Sequence, residues 1–140
     1  PQALSTRFGR QCIVASIDAK SVDGEKRVFI DRGREDCGIS ALERARFCVA
    51  HGAGEVLFNN IDHDGMRGGY DCETIRELAA ALDVPVIAFG GVADWKHMAE
   101  GLEAGADAVA AANIFHYKEL AAKVAKRYLT RKGFKIRKAG

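Results

Sequence analysis

The chain has 140 residues, 48% of them hydrophobic, which fits one domain with a buried core. Lys and Arg number 21 against 19 Asp and Glu, and a net charge of +2 argues against a strong polyelectrolyte partner such as nucleic acid. No apolar run reaches the roughly 18 residues of a membrane span and no signal peptide is legible, so neither membrane insertion nor export is expected.

Cys12, Cys37, Cys48 and Cys72 form no C-x-x-C pair and no tight Cys/His group, so no metal is expected. Cys12 and Cys48 lie in apolar runs, where free thiols pack as small hydrophobes, and this usage suggests a reducing, cytoplasmic setting. Beginning with Pro1 rather than Met, the chain reads as processed or cut from something longer.

The first apolar run, residues 12–17, lacks polar alternation and suits a parallel strand buried on both faces. Residues 20–34 break the pattern. They hold the turn pair Asp23-Gly24 and a short run at 27–30, which predicts a hairpin-like excursion of the kind that carries function. Ile39, Leu42, Ala45 and Ala50 then follow helical spacing, and residues 55–58 make a second strand.

Asp71, with Glu73 in the first turn, opens a helix carrying Ile75, Leu78, Ala79 and Leu82. Asp83 and Pro85 bracket the start of a third strand at 84–89, and Asp94 caps a helix with Met98, Leu102 and Ala106. A fourth strand at 108–112 precedes a helix with Leu120, Val124 and Tyr128. A basic tail at about 131–140 is better read as solvated surface than as a nucleic-acid interface.

Strands alternating with helices mean βαβ units with right-handed crossovers. Gly52-Ala53-Gly54-Glu55-Val56 and Gly105-Ala106-Asp107-Ala108-Val109 echo each other roughly 53 residues apart, which suits a barrel built by duplicating pairs of units. The predicted fold is therefore α/β: four units, half of a (β/α)8 TIM barrel, in one domain spanning residues 1–140. A complete barrel takes about 250 residues. Four strands alone leave an open sheet with unpaired edges and a bare inner face, so completion by dimerisation is expected.

In such sheets ligands bind beyond the carboxyl ends of the strands. Asp18 ends the first strand; it is a candidate general acid or base, or simply a turn cap. Residues 59–71 concentrate Asp62, Asp64 and Asp71 with His63, Arg67 and three glycines, a composition that frees backbone N–H groups to face an anion. The D-x-D-G run resembles a calcium loop but lacks the later Glu. Gly90-Gly91 and Ala112-Asn113 follow the last two strands, where phosphate-binding barrels build their cup. His116 and Tyr117 read as local packing.

Five segments carry a resemblance: Ser16-Ile17-Asp18-Ala19-Lys20, Gly52-Ala53-Gly54-Glu55, Ile61-Asp62-x-Asp64-Gly65-x-x-x-Gly69-Tyr70-Asp71, Pro85-Val86-Ile87-Ala88-x-Gly90-Gly91 and Ala104-Gly105-Ala106-Asp107-Ala108. In this order they resemble the C-terminal half of the cyclase subunit of imidazole glycerol phosphate synthase, over nearly the whole chain. The resemblance implies an ammonia-dependent lyase and cyclase of histidine biosynthesis. Such an enzyme turns a phosphorylated ribulosyl-imidazole nucleotide into imidazole glycerol phosphate and an aminoimidazole carboxamide nucleotide, without a cofactor.

By that resemblance Asp18 is one of two opposed catalytic aspartates. Gly65, Gly90, Gly91 and Ala112 fall in the segments that hold one phosphate, flanked by Asn59 and Asn113, and Asp64 lines the site. Glu55 matches a charged residue of the gate through which ammonia arrives from a glutaminase subunit. The chain departs from the family where Asn59, Asn60, Phe89 and Asn113 replace expected small hydroxyl residues.

Those departures keep several functions open. One is a weakly active cyclase-like barrel made of two copies. Others are a non-catalytic, self-associating half that binds phosphate ion, a subunit that pairs with a separate N-terminal half, and an ammonia-using subunit of surface-sugar biosynthesis. A phosphate-sugar isomerase of the same barrel group is the nearest competing enzyme.

Overall fold

Residues 2–63, 66–112, 114 and 121–137 are described by a computed structural model. A short helix α1 (Gln2–Phe8) and a single 3-10 turn (Arg10–Cys12) lead into β1 (Val14–Val22). The first strand thus starts later than the apolar run suggested. Cys12 lies in the turn and is exposed rather than packed, whereas Cys48 is buried as expected.

Asp23 and Gly24 take φ values of 51° and 84°, the left-handed pair of a tight hairpin turn, and return the chain as β2 (Glu25–Ile30). β3 (Glu35–Ser40) follows, so the excursion is larger than residues 20–34 and ends in an additional strand. Ser40 then begins α2 (Ala41–Ala50) with a reciprocal capping box to Glu43, whose carboxyl is held below its ordinary value by the Ser40 backbone and hydroxyl.

The remaining order is β4 (Glu55–Asn60), α3 (Cys72–Ala81), β5 (Val86–Phe89), α4 (Trp95–Glu103), β6 (Ala108–Val109) and α5 (Ala121–Arg131). Asp71 and Asp94 cap α3 and α4 through Thr74 N–H and Lys96 N–H, as their positions predicted. The sheet runs β3-β2-β1-β4-β5-β6; β1, β4, β5 and β6 are parallel and the β1-β2-β3 part is antiparallel. These are four βα units of a (β/α)8 barrel, with an antiparallel extension after the first strand. The sheet is not closed.

Burial follows the pleat. Ile17 and Ala19 of β1, Val56 and Phe58 of β4, and Val86 and Ala88 of β5 are buried with Ile75, Leu78, Met98 and Leu129 of the helices. The opposite face carries Val14, Ser16 and Asp18; Glu55, Leu57 and Asn59; and Ile87 and Phe89. None of these is buried, and Val14 is 48% exposed. One face of the sheet therefore lies under helices and the other is bare.

Candidate functional site

Strand register assembles the site. β1 pairs with β4 and β4 with β5 so that Asp18, Asn59 and Phe89 stand side by side on the bare face, one level from the carboxyl ends. One level below lie Ser16, Leu57, Ile87 and Ala108, and Val14 pairs with Glu55 at the strand feet. Glu55 thus lies on the same face as Asp18 but at the opposite end of the strands, where the gate residue of the sequence reading was expected.

Asp18 is not alone. The Asn59 side-chain amide donates from Nδ2 to Asp18 Oδ1 at 3.0 Å, while Asn59 Oδ1 is buried without a hydrogen-bond partner. The phosphate-cup role expected for Asn59 gave no hint of this bond.

The next residue faces the other way. Asn60 is fully buried; its Nδ2 donates to Asp71 Oδ2 at 3.2 Å, and its Oδ1 accepts the Asp62 N–H at 3.1 Å. Asp71 also accepts from Thr74 N–H and Thr74 hydroxyl, and its Oδ2 lies 3.0 Å from Lys26 Nζ. Burial acts to raise the Asp71 carboxyl, but the hydrogen bonds from Lys26 and Thr74 and the Lys26 charge outweigh it, and the net shift is downward.

The hairpin is thereby tied to the loop after β4. Besides Lys26–Asp71, the Ser21 N–H donates to Asp62 Oδ2 at 2.6 Å. Lys20, two residues beyond Asp18, donates to the Gly33 carbonyl at 2.9 Å and lies 4.1 Å from the centre of the Phe29 ring. The excursion therefore supplies Lys20 and Lys26 to the neighbourhood of the strand ends. Sequence spacing did not single out either lysine, because each meets partners brought in by the hairpin fold.

Gly90 and Gly91 take φ values of 92° and 87°, which side chains rarely adopt. A Cβ on Gly90 would meet Asn59 Oδ1 at 2.7 Å and the Asn60 carbonyl at 2.8 Å, and one on Gly91 would overlap the Gly69 carbonyl. Gly69 N–H in turn donates to the Gly91 carbonyl at 2.9 Å, so the loops after β4 and β5 touch backbone to backbone. Tyr70, buried, donates its hydroxyl to the Ala110 carbonyl at 2.8 Å and links the same loop to the end of β6. Burial, and to a lesser degree Cys72, pushes the Tyr70 phenol well above its ordinary value, so it stays a donor. Burial likewise raises the Cys72 thiol, with Glu100 adding to it.

Ala112 is exposed in a bend after β6. Asp64, Gly65 and Asn113, expected in the site, and His116 and Tyr117 lie outside the described residues. Among the described residues, no group of three or more His, Cys, Asp and Glu side chains is arranged to hold a metal ion, and no helix is long and apolar enough to cross a membrane. A separate basic cleft of about 470 Å³, lined by Lys123, Lys126, Arg127, Arg131 and Arg137, runs along α5 and the following tail and shares no residue with the strand-end set.

Residues 2–121 match the family described as histidine biosynthesis protein. Three curated relatives share the description imidazole glycerol phosphate synthase subunit HisF. Those of Wolinella succinogenes and Clostridium botulinum are each 46% identical over 133 residues, covering 94% and 93% of this chain. That of Endomicrobium trichonymphae is 44% identical over 134 residues, 95% of this chain. The alignments cover 52%, 53% and 52% of the relatives, so the chain spans about half the length of the curated relatives it matches.

Proposed function

The chain belongs to the histidine biosynthesis protein family, and from that premise we propose that it forms one catalytic half of an ammonia-dependent cyclase barrel. Asp18 acts as the acid or base, and the turns at Gly90-Gly91 and Ala112 hold a phosphate of a ribulosyl-imidazole nucleotide, with Asp64, Gly65 and Asn113 alongside. The carrying observation is the row Asp18–Asn59–Phe89: a carboxylate at the end of a strand, facing the side of the sheet that no helix covers.

The partner in this proposal is a second copy. A two-fold axis facing the bare sheet places one Asp18 and one glycine turn on each side of a shared mouth, and buries Val14, Leu57, Ile87 and Phe89 against their counterparts. Glu55, at the strand feet, then gates ammonia from a glutaminase subunit docked at that end. A symmetric mouth matches an asymmetric nucleotide imperfectly, so turnover is weak.

A second reading draws on Asn59 and Phe89. An amide already spent on Asp18, and a ring beside it, remove the hydroxyl donors expected around the phosphate. That favours a self-associating half that binds phosphate without turnover, or an ammonia-using subunit for another substrate, such as one in surface-sugar biosynthesis.

Incubation with the ribulosyl-imidazole nucleotide and ammonium separates the readings. The cyclase predicts slow formation of imidazole glycerol phosphate, reduced about 100-fold or more in Asp18→Asn. Full turnover in Asp18→Asn overturns the role of Asp18. No product from a chain that still binds phosphate supports the non-catalytic reading.

A further inference from the structure

We propose that the Asn59 side chain is a two-position amide that couples anion binding at Gly90-Gly91 to protonation of Asp18. This rests on the anion-cup role given above to the glycine turn.

The amide lies between the two groups. Its Nδ2 donates to Asp18 Oδ1 at 3.0 Å. Its Oδ1 lies against the glycine turn, 2.7 Å from where a Gly90 Cβ would sit, and is buried with no hydrogen-bond partner. A carboxylate only accepts hydrogen bonds, so an ionised Asp18 dictates which end of the amide it meets. The oxygen is left facing the turn, an arrangement that is costly for a buried acceptor.

An anion on the turn reverses the preference. Backbone N–H groups at positive-φ glycines present partial positive charge to an anion, but Asn59 Oδ1 presents the wrong sign beside it. Turning the amide over gives Nδ2 to the anion and leaves Oδ1 facing Asp18. Two acceptors then confront each other, and a proton taken from solvent by Asp18 resolves the conflict, with the new O–H donating to Asn59 Oδ1.

The charged groups around Asp18 are already engaged. Lys20 on the same strand holds the Gly33 carbonyl and the Phe29 ring, and Asp62 of the loop after β4 accepts from Ser21. Asp71 is paired with Lys26. His63 of that loop has its Nδ1 at 3.2 Å from the Gly69 carbonyl, and Glu55 lies on the same face at the far end of β4. The compensating proton therefore goes to Asp18. A general acid loaded only when the anion arrives would deliver its proton with the substrate in place. A threonine at position 59 can rotate its hydroxyl toward either group and needs no such exchange.

Sulfate tests this, because it stays fully charged near neutral pH. Binding of sulfate to the full chain is followed by calorimetry at about pH 6, above the ordinary carboxylate range, in two buffers of different ionisation enthalpy. The expected result is uptake of about one proton per sulfate bound by the natural chain, and none by Asn59→Thr or Asp18→Asn. Sulfate binding without proton uptake by the natural chain, or equal uptake in Asn59→Thr, overturns the coupling and leaves the anion cup standing. Failure of all three proteins to bind sulfate overturns the cup and the coupling together.

Discussion

Lys26 Nζ and Asp71 Oδ2 lie 3.0 Å apart, joining the hairpin after β1 to the N-terminus of α3. Lys26 reaches across from an antiparallel strand that barrel geometry alone does not require. Asp71 receives it while capping a helix and accepting from Asn60. The segment that carries Lys20 is therefore anchored to the loop that carries the glycines and aspartates. A change at either end loosens both.

The pair sets a pH dependence whose sign is fixed. The Asp71 carboxyl lies below its ordinary value in the folded chain, so the stability it contributes is fully present above the unfolded carboxylate value, about 3.9, and is lost as pH falls through the lower folded value. Asp71→Asn keeps a capping side chain but loses the charge, and is expected to cost about 2 kcal/mol at neutral pH. Urea unfolding from about pH 7 down to about pH 3 checks this. The gap between the two proteins should stay level and then shrink below about pH 4; a gap that widens on acidification contradicts the assignment.

Gly101, inside α4, makes a different forecast. Alanine is the better helix former by about 1 kcal/mol, which alone would stabilise Gly101→Ala. A Cβ there would stand 2.6 Å from Cδ2 of the buried Tyr70 ring. Gly101→Ala is therefore expected to lose about 1 to 3 kcal/mol of stability by overpacking. Thermal unfolding decides the sign, and a raised midpoint contradicts the close packing of α4 on Tyr70.

Tyr70→Phe keeps the ring and removes one bond. The Ala110 carbonyl then loses its 2.8 Å donor near the end of β6, with an expected cost of about 1 kcal/mol. Amide exchange should report loosening around the loop after β4 and the end of β6, with β1 unchanged. Uniform loosening across the sheet contradicts a local tie.

Legibility in the sequence followed the physical range of each signal. The four parallel strands, the Asp71 and Asp94 caps and the Asp23-Gly24 turn rest on residues close in sequence, and all appear where expected, with edges displaced by a few positions. β3 escaped because Glu35-Asp36-Cys37-Gly38 has no apolar alternation. The strand forms by pairing with β2, aided by a 3.0 Å contact between Arg27 and Asp36. α1 escaped because it has no buried residue, so it carries no core-facing stripe.

The site was legible as a set of strand-end positions, not as a network. Asp18 and Gly90-Gly91 were visible from their places after apolar runs. The Asn59–Asp18 bond joins residues 41 apart, and it depends on the pairing of β1 with β4 and on the amide rotamer, neither of which composition encodes. Lys26 was hidden for the same reason, since its partner lies beyond β4.

The central claim is that two chains close one barrel with Asp18 at its mouth, and specific activity against chain concentration tests it most directly. Ammonia-dependent formation of imidazole glycerol phosphate per chain should rise with concentration and level off as dimers saturate, and should fall away in Asp18→Asn across the whole range. Activity per chain that is independent of concentration, or absent where light scattering shows dimers, would contradict it.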